Sequence, residues 1–141
     1  MRYLIIFLFL ISTTGNSYSN DQRYKNYKSK LSAASIDQKY LILKEINFAL
    51  DFENDVISSC VGYIKMWKET KGKMCNKAFK RLKGIMNLMA VLGSNEFKSS
   101  YREVAKKVNK LKLDQLMKET EKNSSALLDN ISKLNFLIRN L

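Results

Sequence analysis

The feature that most constrains this chain is a helical apolar rhythm with no proline to interrupt it. Cys75, Phe79, Leu82, Met86, Met89 and Leu92 follow at steps of three and four, which places them along one face of an α-helix. Three further segments carry the same rhythm, and none alternates with the period of two that a half-buried strand needs. The sequence has no Pro, so no helix interior is broken that way. Each stripe is narrow and must be covered by other helices. The expected fold is all-α: a small antiparallel bundle of four to five helices with one intrachain disulfide.

Local signals set the expected boundaries. Ser35-Ile36-Asp37-Gln38 is a capping box, in which the hydroxyl accepts from the third backbone N–H and Gln38 reaches back. Ile36, Tyr40, Leu43, Ile46 and Leu50 then share a face, and the spacing resumes at Ile57, Cys60, Ile64 and Trp67. Asp51-Phe52-Glu53-Asn54-Asp55 interrupts it, leaving open one bent helix or two shorter ones. A second helix is expected from Lys73 to Leu92, with Gly93 as its stop and Ser94 capping the next. That third helix carries Phe97, Tyr101, Val104, Val108 and Leu111. Its stripe shifts to Leu113, Leu116 and Met117, with fraying expected near Glu121-Lys122-Asn123. The last helix is expected to start at Ser124 or Ser125 and to bury Leu128, Ile131, Leu134 and Ile138, with Leu141 as a further candidate. The bundle thus spans 35–141. Residues 20–34 are polar and basic with no apolar period, and read as a flexible basic N-terminal arm with room for a short helical turn.

Residues 1–19 read as a secretory signal peptide. Arg2 precedes an apolar run from Tyr3 to Ile11, and Ser17-x-Ser19 fits the small-x-small cleavage rule, with Thr13-x-Gly15 as a second site. The run is about half the roughly 20 residues a membrane span requires. The expected destination is extracellular. There the two cysteines, Cys60 and Cys75, favour an internal bridge over free buried thiols or intermolecular bonds. Closing that loop would add about 3 kcal/mol in the chain-entropy model. The required approach of the two Cα atoms demands a hairpin, so the first helix should end near Met66, with Gly72 in the connection.

Charge is the next constraint. The chain has 25 Lys and Arg against 13 Asp and Glu, a formal charge of +12. Residues 65–83 sum to +7 and residues 96–112 to +4, whereas residues 36–57 sum to −3 and residues 113–141 to zero. With a turn at Gly93, Lys77, Lys80 and Arg81 would stand beside Arg102, Lys106 and Lys110. Such a patch would attract an anionic glycan, an anionic lipid surface or an acidic protein face. A lysine stripe opposite an apolar one is also what any solvated helix face looks like. Export disfavours nucleic acid as the partner.

Other chemistries are constrained by what the sequence lacks. It has no His, which removes Ser-His and Cys-His nucleophile pairs, and two Cys alone cannot complete a zinc site. Residues 51–55 lack the glycine and terminal glutamate of a calcium loop. No spacing favours an acid–base pair over a salt bridge, so the chain reads as no enzyme, with no cofactor and no metal. Met66, Met74, Met86, Met89 and Met117 could line an apolar cavity, although such stripes are more often core. Asn123-Ser124-Ser125 and Asn130-Ile131-Ser132 match the N-glycosylation sequon. The leader, helix count and single bridge together are similar to the build of many small secreted helical proteins of invertebrate saliva, venom and seminal fluid, and in outline to helical cytokines. That resemblance lies in architecture and export, and no functional residue carries over. The leading expectation is a secreted, non-enzymatic binding protein acting through a basic helical face. The alternatives are a carrier of a small hydrophobic ligand and a membrane-active protein.

Overall fold

The computed structural model describes residues 21–141, and the expected leader lies outside them. Five helices follow in order: α1 (Tyr27–Ala33), α2 (Ile36–Trp67), α3 (Lys73–Leu92), α4 (Asn95–Val104) and α5 (Lys110–Arg139). The described residues contain no strand.

The capping box at Ser35 forms in full, with Ser35 Oγ accepting from Gln38 N–H and Gln38 Oε1 from Ser35 N–H. From there α2 runs as one helix of 32 residues. The polar stretch 51–55 does not break it, because Asp51 and Asp55 fall on the solvent side while Glu53 falls on the buried one. Buried positions recur at Lys39, Leu43, Ile46, Leu50, Glu53, Ile57, Cys60 and Ile64. These steps of four and three repeat every seven residues, the rhythm of a helix with long neighbours alongside. Accordingly α2 packs against each of the other four helices.

Three long helices run up, down and up. Cys60–Cys75 (Cα–Cα 4.5 Å) and Glu53–Arg81 set α3 antiparallel to α2. Asn123 on Asn47 and Asn130 on Asn54 set α5 parallel to α2. Leu82, Ile85 and Leu88 of α3, and Leu127, Ile131 and Leu134 of α5, complete the core.

The hairpin between α2 and α3 is tight. Lys68 closes α2 in the left-handed region (φ 56°), its N–H donating to Ile64 O. Gly72 then lies against the Tyr63 ring, where a Cβ would come within 2.3 Å of Cζ. A side chain there would have to push the Tyr63 ring aside.

Two expectations on organisation are corrected. Residues 20–34 are not a flexible arm over their described part. Residues 21–23 lie on α3, where Asn87 Nδ2 donates to Asp21 O and Arg23 O (3.2 and 3.0 Å). A Cβ on Gly84 would meet Arg23 Cβ at 3.0 Å. Tyr24 reaches Glu53, and Leu31 of α1 is fully buried in the core. A single leucine and two tyrosines suffice to anchor the segment because α2, α3 and α4 already form its seat. The second correction concerns the third helix. It ends at Val104, and the break expected at 121–124 lies instead at 105–109. Lys106 N–H and Lys107 N–H make tight bonds three residues back, and Asn109 Oδ1 caps the new helix at Leu111 N–H. Ser124 stays helical, its hydroxyl donating to Glu121 O. Leu111, expected on the buried stripe, is exposed.

Candidate interaction surface

The six residues of the expected basic face do not form one face. Lys77 and Lys80 are exposed on α3. Arg81 turns inward to Glu53, a carboxylate with no solvent exposure in the middle of α2. Its Nε donates to both Glu53 oxygens at 2.9 Å and its Nη2 to Oε1 at 2.6 Å. Tyr24 O–H donates to the same carboxylate at 2.7 Å. Burial, and then the hydrogen bond to Glu53 with its charge, push the Tyr24 phenol far above its ordinary range. The Glu53 hydrogen bond raises Arg81 further. Both donors therefore stay protonated, and the carboxylate is satisfied on every side. Arg81 is a structural partner rather than a surface cation.

Arg102, Lys106 and Lys110 sit at the other end of the molecule. There Lys39 Nζ, itself largely buried, pairs with Glu103. That bond, with the lysine charge, holds the Glu103 carboxyl below its usual range. The helix registers place Lys80 level with Asn54 and Lys110 level with the start of α2, a separation of about 30 Å at 1.5 Å per residue. The expected juxtaposition assumed a helix continuing from Ser94 to Leu111 back along α3; α4 instead carries Arg102 to the start of α2, beside the Lys39–Glu103 pair, and the chain turns at 105–109 before Lys110.

The structure instead brings a different set together at the hairpin end. Met66, Trp67 and Met74 are 74%, 63% and 54% exposed. Lys65, Lys68, Lys71 and Lys73 of the same hairpin are all exposed, and among the described residues no carboxylate pairs with any of the four. The one acidic residue of the connection, Glu69, accepts a hydrogen bond from Tyr63 O–H. The Tyr63 ring also packs 6.5 Å from that of Trp67. By the α2–α5 register, exposed Phe136 and Leu141 belong to the same end. Sequence reading put Trp67 on the buried stripe because its spacing from Ile64 fits. The available signal was that the stripe must stop where the hairpin turns.

A second exposed apolar row, Leu41, Phe48 and Phe52, runs along α2. Its setting differs, since acids and bases alternate around it: Glu45, Asp51 and Asp55 lie on the same side of the helix as Lys44, and Lys77 and Arg81 cover the Phe52 ring.

The expected glycan acceptors are engaged in packing. Asn123 Nδ2 donates to Asn47 Oδ1 and Asn130 Nδ2 to Asn54 Oδ1, each at 2.8 Å. The two bonds are seven residues apart on both helices, so they form matching polar layers in the α2–α5 seam. Asn123 was expected between helices, and it lies within one. The methionines expected around a cavity do not meet. Met66 and Met74 are at the hairpin end, and Met86 and Met89 pack on the core. Met117 edges an open groove of about 380 Å³ with Leu92, Phe97 and Tyr101.

Among the described residues no group of three metal-ligating side chains occurs, and no helix is long and apolar enough to cross a membrane. Comparison with known proteins finds no family model that matches this chain, and no similar curated protein or solved structure.

Proposed function

We propose that this chain is an exported, non-enzymatic binding protein that engages an anionic extracellular partner through the lysines of the hairpin and of α3. The observation that carries this reading is the division of its charges. The buried charged groups, Glu53 and Lys39, are paired inside the molecule with Arg81 and Glu103. Lys65, Lys68, Lys71, Lys73, Lys77 and Lys80 are left exposed on one hairpin. Like charges held this close repel one another, and an anionic partner relieves that repulsion. The Cys60–Cys75 bond and the apolar leader sequence support export.

Elution from a heparin column tests the reading. Lys73→Glu/Lys77→Glu/Lys80→Glu should elute at clearly lower salt than the wild type. Lys106→Glu/Lys110→Glu, at the far end and with the same charge change per residue, should shift less per residue. Equal shifts per residue would show a response to net charge alone and remove the proposal.

A further inference from the structure

We infer that the partner of the hairpin end is an anionic lipid surface, entered by Met66, Trp67 and Met74 and held by Lys65, Lys68 and Lys71. The inference rests on the binding reading above and names its partner. It starts from a conflict in the hairpin. Large apolar side chains are normally withdrawn from water. Here three of them are left exposed within one short hairpin, 66–74, whose conformation is firmly held. The Cys60–Cys75 bridge, the Gly72–Tyr63 contact and the Tyr63–Glu69 hydrogen bond together fix the turn. Because the turn is already ordered, little freedom remains to be lost on docking.

The mixture of side chains selects the partner. A sulfated glycan would engage the lysines and offer nothing to the indole or the thioethers. A purely apolar groove would leave the lysines without counter-charges. A bilayer with anionic headgroups supplies both layers in the right order, charge outside and hydrocarbon beneath. Trp prefers that boundary, and lysine stems lie along apolar surface while their ammonium groups stay in the headgroup layer. Tyr63 holds Glu69, the only carboxylate of the connection, in a hydrogen bond. The Leu41, Phe48 and Phe52 row has a mixed setting, with Lys30, Lys44 and Lys77 beside it but Glu45, Asp51 and Asp55 among them, so no purely cationic rim frames it. No described helix can span a bilayer, so the contact is peripheral and end-on.

The experiment uses the oxidised protein and two vesicle preparations, phosphatidylcholine alone and phosphatidylcholine with phosphatidylserine. Trp67 is the sole tryptophan, so indole emission reports this end alone. The expected result is a blue shift with the phosphatidylserine vesicles and none with phosphatidylcholine. By co-sedimentation, Trp67→Ala should bind those vesicles about tenfold or more weakly, from the loss of a buried aromatic. Its melting temperature and heparin elution should match the wild type. Lys68→Glu/Lys71→Glu should abolish vesicle binding. Absence of a blue shift, or Trp67→Ala sedimenting like the wild type, overturns the lipid assignment. If heparin retention survives that result, the anionic-partner reading stands. If the hairpin lysines also fail to affect heparin retention, both fall. A concentration-dependent dimer that Trp67→Ala dissolves would identify a second copy as the occupant and equally overturn the lipid assignment.

Discussion

The middle of α2 and its C-terminal end handle side chains in opposite ways. In the middle, a carboxylate is taken fully out of water and given three donor atoms from two other segments. At the end, Met66 and Trp67, with Met74 at the start of α3, are left in water on a hairpin of lysines that no described carboxylate pairs. A buried, paired charge fixes where its partners must lie, since any other arrangement leaves it unsatisfied. An exposed apolar group beside exposed cations fixes nothing within the chain. The contrast separates the part of the molecule that specifies its own geometry from the part free to meet something else.

The largest test of that contrast removes one member of the buried pair. Arg81→Ala strands Glu53 in the core and should destabilise the protein by about 3–5 kcal/mol, read as a lower urea midpoint. Trp67→Ala should stay within about 0.5 kcal/mol of the wild type, as for exposed positions generally. If the two variants lose comparable stability, the division between centre and end is wrong. Replacing both cysteines, Cys60→Ala/Cys75→Ala, should lower stability by about 3 kcal/mol. A much smaller loss would mean that the Tyr63–Gly72 contact already holds the hairpin closed. The smallest effect belongs to the amide layers. Asn123→Leu leaves Asn47 Oδ1 without its donor, while Asn47 Nδ2 keeps Glu119, and should lower stability by about 1–2 kcal/mol. Asn47→Leu/Asn123→Leu should recover much of that loss, so that the double variant is more stable than the single one in the same urea series.

Much of the fold was legible because its signals are local. The capping box at Ser35, the cap at Ser94 and the span Lys73–Leu92 depend on neighbours a few residues apart. The bridge could be read from two cysteines and a distance limit. Long-range partnerships were not legible. Glu53 reads as part of a polar interruption, and only Arg81, 28 residues later, and Tyr24, 29 residues earlier, make its burial tolerable. Leu31 and Tyr24 are too few to show a period, yet a preformed seat holds them. The break after Val104 was hidden because Val108 and Leu111 continue the three-and-four rhythm by accident. That accident also produced the expected basic face, since Lys106 and Lys110 follow Arg102 on a helix that ends before reaching them.

The central place of α2 has a consequence for how the molecule opens. Every other helix shares a boundary with it, so no pair of neighbours can separate as an autonomous unit without stripping part of this spine. Amide protons near Leu50 and Ile57 should therefore exchange with solvent only through whole-molecule unfolding, while those at the chain ends exchange by fraying.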